Sequence, residues 1–144
     1  MKNHAAPSPK KSSLLNVVIV VVMLSIVGLA IWSLPRGYST DLLQIGKGKN
    51  IVVQVHDHSS VSSVHLMESL HQVRTEYTGL IEFVVADLNT AEGQAFAKTQ
   101  NVNSTTLIFF APNGTRIGIV QGAQEVGILR STLSQVFNLP SPKN

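Results

Sequence analysis

The chain contains no cysteine. That absence excludes disulfides, thiolate metal sites, iron–sulfur clusters and every dithiol redox reaction. Charge is also scarce, at 13% of residues, and there is a single tryptophan. The 144 residues allow one ordinary domain with an appendage. The formal charge of +3 is not spread over the chain. Lys2, Lys10 and Lys11 lie in residues 1–13 without an acid, and residues 14–144 hold eight bases and eight acids. A neutral body with scattered charges offers no footprint for a phosphate backbone, so no nucleic-acid partner is expected. No small-molecule substrate is indicated, and no cofactor is expected apart from a weak metal site weighed below.

The long apolar run from Leu14 to Leu34, LLNVVIVVVMLSIVGLAIWSL, is 21 residues without a charge. A helix of about 20 apolar residues crosses a hydrocarbon core of about 30 Å. Trp32 suits an interfacial anchor, and Pro35-Arg36-Gly37 stops the helix. A cleaved signal peptide has a shorter apolar region and a small-x-small site directly after it. Here Pro35-Arg36 intervenes, so an uncleaved signal anchor is the expectation. The lysines before the span put the N-terminus in the cytoplasm and the following domain on the extracytoplasmic side of the cell (inner) membrane, in the periplasm for a bacterial chain. The expected organisation is a disordered basic tail at 1–13, a transmembrane helix at 14–34, a linker at 35–39, one domain at 40–138 and a flexible end at 139–144. Ser25 and Gly28 share a helix face on which a neighbouring helix could pack.

Beyond the span the hydrophobic period changes repeatedly. Ser39-Thr40-Asp41 caps a short helix over Leu42, Leu43 and Ile45, closed by Gly46. Asn50–His56 (NIVVQVH) is a β-branched run, as in a strand buried on both faces. Leu66, Leu70, Val73 and Tyr77, with Met67 alongside, form one helical stripe that ends at Gly79. Leu80–Ala86 is a second strand, and Asn89-x-x-Glu92 has the capping-box spacing for a short helix through Phe96. Thr105–Ala111 and Thr115–Gln121 flank Pro112-Asn113-Gly114 as a hairpin. Val126, Leu129, Leu133 and Val136 with Phe137 make a closing helix. Strands joined through a helix are expected to be parallel and the hairpin antiparallel, giving a mixed four-stranded α/β sheet with helices on both faces.

From about Thr40 to Phe137 this order resembles the thioredoxin family. Val84-Val85-Ala86-Asp87-Leu88-Asn89 resembles the family's strand ending in Asp, and Gln100-Asn101-Val102 the stretch before its cis-proline strand. Phe109-Phe110-Ala111-Pro112-Asn113-Gly114 resembles its hairpin, with Ala111 where a Phe is usual, and Gly122-Ala123 its small pair before the last helix. The resemblance implies a thioredoxin-like three-layer fold. It places the two redox cysteines on Ser60 and Ser63, the preceding tryptophan on Ser59, the buried acid on Gln54 and the cis-proline on Thr106. All five depart from the pattern together, so the expectation is the scaffold without the reaction. The resemblance also implies a partner-binding groove along Ser59, Ser60, Val61, Thr105 and Thr106.

The residues admit other chemistry, weighed here in turn. A serine at 59 or 60 is foremost a helix cap, accepting from backbone N–H groups two or three residues on. His56, Asp57, His58 and Ser60 lie close in sequence, but no G-x-S-x-G accompanies them, so a serine hydrolase is disfavoured. His56 and His58, two apart on a strand end, would point the same way and could hold copper or zinc weakly. His65 and His71 are six apart on a helix and do not share a face. Asn103-Ser104-Thr105 and Asn113-Gly114-Thr115 fit the glycosylation pattern, while Gly46-Lys47-Gly48-Lys49 lacks the P-loop spacing. The expected function is non-catalytic: a membrane-anchored adaptor, assembly factor or accessory subunit that binds a protein partner, with metal handling as the alternative.

Overall fold

The computed structural model describes residues 11–33 and 37–140, with side chains from 16 to 29 and from 37 to 140. The expectations for residues 1–10, Trp32, Pro35-Arg36 and 141–144 lie outside the described residues. Two compact units are present, 1–37 and 38–144.

The first unit is helix α1, Lys11–Ser33. It begins three residues before the apolar run. From Val17 to Leu29 its large apolar side chains are exposed on every side of the helix. Ser25 donates its hydroxyl to Val21 O at 2.8 Å, so its one mid-helix polar side chain is satisfied within the helix. Among the described residues no helix is long and apolar enough to cross a membrane. The described side chains of α1, 16 to 29, cover about 21 Å of helix at 1.5 Å per residue.

The second unit carries a 3-10 turn (Leu42–Gln44), β1 (Asn50–His56), α2 (Val61–Val73) continued by a 3-10 turn (Arg74–Tyr77), β2 (Ile81–Asp87), α3 (Ala91–Gln100), β3 (Thr106–Phe110), β4 (Arg116–Gln121) and α4 (Val126–Val136). The sheet order is β2-β1-β3-β4. β1 and β2 are parallel, while β1–β3 and β3–β4 are antiparallel. This corrects the expectation that β2 and β3, joined through α3, run parallel. Asn101 ends α3 in the left-handed conformation (φ 53°), and Val102 tucks into the core beside Ala97. Residues 101–105, with Asn101 and Thr105 both at positive φ, then carry the chain to the end of β1. β3 starts there, where Thr105 N–H donates to Val55 O at 3.0 Å, and runs back antiparallel to β1.

Alternation along β1 divides the core in two. Val52 packs with Leu66, Leu70, Val73 and Tyr77 of α2 and its extension, Leu107 and Phe109 of β3, and Leu129 and Leu133 of α4. Ile51, Val53 and Val55 face the other way, with Val84, Ala86, Ala97, Val102, Ile108 and Phe110 around α3. Of the expected stripe, Leu66, Leu70, Val73 and Tyr77 are buried and Met67 is half-buried. Bidentate Glu76–Arg130 contacts and a Tyr77 hydroxyl bond to Arg130 O (3.0 Å) tie the end of α2 to α4. The cap of α3 is Thr90, not Asn89: Thr90 Oγ1 accepts from Gly93 N–H at 3.0 Å. Asn89 is drawn away because its N–H and side-chain amide both donate to Asp87 Oδ1. Gly93 is required where it stands, since a Cβ there would collide with the Asp87 backbone.

Candidate functional site

Alternation puts Gln54 and His56 on the α2 side of β1, under the first turn of that helix. Both are buried. The chain leaves β1 through a tight turn in which Asp57 Oδ1 accepts from Ser59 N–H (2.9 Å) and Ser59 hydroxyl (2.7 Å). Those two donors hold the Asp57 carboxyl below its usual range. The turn delivers Ser60 to the cap of α2, where its Oγ accepts from Ser63 N–H at 3.3 Å. Ser60 Oγ also lies 3.5 Å from Thr105 Oγ1, across the gap between α2 and the start of β3. Ser59 and Val61 flank it on the surface, Val61 with 72% of its area exposed.

Thr105, rather than Thr106, faces Ser60. Its φ of 58° is a strained conformation for a β-branched residue. The strain is held by bonds on both sides, from Thr105 N–H to Val55 O and from Gly122 N–H to Thr105 O at 2.8 Å. Thr106 is fully buried and donates its hydroxyl to Asn103 O at 2.8 Å. No peptide bond among the described residues is cis.

Ser63 belongs to a different, interior cluster. Its hydroxyl accepts from Asp57 N–H at 3.0 Å and lies 3.0 Å from His56 Nδ1, while its carbonyl accepts from Gln54 Nε2 at 2.9 Å. Gln54 Nε2 lies 3.4 Å from the same His56 Nδ1, so the ring nitrogen is enclosed by Ser63 and Gln54. Burial, then the neighbouring His58, pushes the His56 pKa down from 6.5. Gln54 Oε1 is buried with no partner among the described residues.

The His56 and His58 rings meet edge to face, 4.5 Å between centroids. His58 is exposed, and its Nε2 sits 3.3 Å from Asp87 Oδ2. The N–H and amide of Asn89, then His58, keep Asp87 below the usual carboxylate range despite partial burial. Nδ1 of His56 is thus turned inward to Ser63, not outward beside a nitrogen of His58. Among the described residues no group of three or more His, Asp or Glu side chains is placed to hold a metal ion. For hydrolysis the pairing is equally unsuited. The exposed-side serine, Ser60, has Thr105 and Ser63 N–H as its partners, and the serine that reaches a histidine is fully buried. His65 pairs loosely with Glu68 (3.6 Å), and His71 lines a separate groove of about 420 Å³ with Tyr38 and Met67 along α2.

Sequence reasoning reached Ser60, Ser63, Gln54 and His56 singly, and it missed that Ser63 and His56 bond to each other. The signal was present: 54 and 56 share a face of β1, and Ser63 is three residues after the cap. Thr105 was reached only through the family resemblance, which set it in one groove with Ser60, and no local pattern announced its positive φ.

No protein-family model and no curated protein matches this chain. Solved structures do resemble it. Fasciola hepatica thioredoxin is 21% identical with a TM-score of 0.56, over 65% of this chain and 86% of that one. A chain from the structural study of the thiol-resolving mechanism in yeast mitochondrial 1-Cys peroxiredoxin is 20% identical with a TM-score of 0.59, over 69% and 95%. The second unit thus has a thioredoxin-like α/β fold with a mixed four-stranded sheet, and without a cysteine it performs no thiol–disulfide exchange.

Proposed function

We propose that this chain is a membrane-anchored, non-catalytic thioredoxin-like protein that holds a partner polypeptide beside the head of α2, as an adaptor, assembly factor or accessory subunit. The observation that carries the reading is the Ser60–Thr105 contact. A strained residue is held by bonds on both sides against a capped helix start, with exposed Val61 alongside and no reactive group. Strain retained where no reaction takes place suits a surface shaped for binding. An extended segment laid there would meet hydroxyls and an apolar side chain, enough for strand-like recognition.

The anchor reading rests on the uncharged run 14–34 and on a helix whose apolar side chains are exposed on every side from Val17 to Leu29. A helix apolar all round is stable when buried in protein or lipid. The N-terminus lies in the cytoplasm and the domain on the extracytoplasmic side, as the lysine bias directs. Alkaline extraction of membranes tests the anchor: the full chain stays with the lipid pellet, and release into the supernatant contradicts it. Affinity capture of the tagged full chain from its own membranes tests the binding role. A reproducible partner is retained by the unaltered chain and lost from Val61→Asp; retention of the same partner by both chains overturns the site.

A further inference from the structure

Among the described residues His56 is the only histidine, acid or base that is buried. Its Nδ1 is enclosed by the Ser63 hydroxyl at 3.0 Å and the Gln54 amide nitrogen at 3.4 Å. The amide nitrogen can only donate, and the Ser63 oxygen already accepts from Asp57 N–H at 3.0 Å. A neutral ring can present a bare Nδ1 to these groups, whereas a charged ring carries a proton there as well. That proton would face the amide donor and compete with Asp57 N–H for one hydroxyl oxygen. The charged groups around the ring are few. His58 and Asp57 belong to the turn that follows it, and Asp87 stands opposite it across the β1–β2 ladder. The first turn of α2 and the start of β3 bring hydroxyls without charge, from Ser63, Thr105 and Thr106. Both carboxylates are engaged elsewhere, Asp57 with Ser59 and Asp87 with Asn89 and His58. Burial, then His58, outweighs the pull of those carboxylates and keeps the ring neutral to lower pH than a free histidine.

We infer that His56 is an acid-released latch on the turn 57–60: the neutral ring closes the Ser63–Gln54 enclosure beneath the head of α2, and protonation drives it out to water and loosens the turn. The exposed His58, packed edge to face on the ring, marks the side from which water reaches it. With the ring gone, Ser63 Oγ and the Gln54 amide are wetted, and the Asp57 N–H bond that ties the turn to α2 loses its dry surroundings. The opening is local, because the apolar packing of Val52, Leu66, Leu107 and Leu129 deeper in the same layer contains no titrating group. Ser59, Ser60 and Val61 stand on or beside the loosened turn. On the binding function proposed above, on which this consequence rests, acid therefore releases the partner.

The test is a titration of the full-length, isotope-labelled chain in detergent micelles from pH 8 to pH 4, followed by nuclear magnetic resonance. It reads the His56 ring carbons together with the hydrogen-exchange protection of the Asp57 amide and of the β3 amides. Asp57 protection is expected to be lost with the His56 midpoint while β3 keeps its own. His58→Gln removes a neighbouring charge and is expected to move both midpoints to higher pH together. His56→Phe is expected to keep Asp57 protected throughout, and the His58→Gln comparison decides the matter if that variant does not fold. A His56 ring that stays neutral to pH 4 overturns the latch. So does a ring that titrates with Asp57 protection unchanged, or protection lost from Asp57 and β3 at one pH. Release is read separately, as the adduct yield of a photo-crosslinking amino acid at Val61, which is expected to fall with the same midpoint. Equal yield across the range overturns release by acid. No adduct at any pH overturns the binding function alone, and the amides still decide the latch.

Discussion

The two faces of β1 differ in kind. Toward α3 it presents Ile51, Val53 and Val55, all fully buried among apolar neighbours. Toward α2 it presents Val52, then Gln54 and His56, two polar groups buried beneath a helix start. The first face is a scaffold that any well-packed set of apolar residues would fill. The second keeps a Ser63–His56 contact and a Gln54 oxygen that has no partner among the described residues. The difference shows that the polar face, not the apolar one, ties down the turn on which Ser59, Ser60 and Val61 stand, through the Asp57 N–H bond to the Ser63 hydroxyl.

That contrast can be broken from either side. On the scaffold face, Gly93→Ala forces α3 off the Asp87 backbone and is expected to have the largest effect, a loss of cooperative thermal unfolding. On the polar face, Leu66→Ala is expected to destabilise by about 2–5 kcal/mol in denaturant titration, because Leu66 is fully buried between β1 and α4. Ser63→Ala leaves His56 Nδ1 and Asp57 N–H without their hydroxyl and should cost about 1–3 kcal/mol. Ser60→Ala removes a cap and the contact to Thr105 and should cost about 0.5–2 kcal/mol. Gln54→Leu is expected to be the smallest change, since it discards the amide contacts to Ser63 O and His56 Nδ1 together with one unpaired buried oxygen.

Acid separates the faces in a different way. The folded pKa of His56 lies below its unfolded value of 6.5, so between the two the unfolded chain binds more protons. Stability from this group is therefore complete above pH 6.5 and declines as pH falls through the folded pKa. Denaturation midpoints measured from pH 8 down to pH 5 should show that decline, and His56→Phe should flatten it. The carboxylates Asp57 and Asp87 add their own loss only at lower pH, below about 4.

Strands, the α2 stripe and the capping serine were legible in the sequence because each is a local pattern with a period or a spacing. The direction of β3 was not, since it depends on where the connection 101–105 delivers the chain, and no residue among Asn101–Thr105 announces that path. The α3 cap went to Thr90 because Asp87 captured Asn89, a competition between two short polar side chains that spacing alone does not resolve. The site was half legible: alternation places Gln54 and His56 on one face, but the serine that meets the histidine and the threonine that meets Ser60 come from elements joined only in the fold.

The central claim is that the head of α2 is a binding surface rather than a relic. A photo-crosslinking amino acid placed at Val61, 72% exposed beside Ser60, is compared in the full chain with one at Leu43, 77% exposed before β1. A discrete adduct of one mass is expected from position 61 in cells that express the full chain, and none from position 43. Equal labelling at both positions, or none at 61, would contradict it.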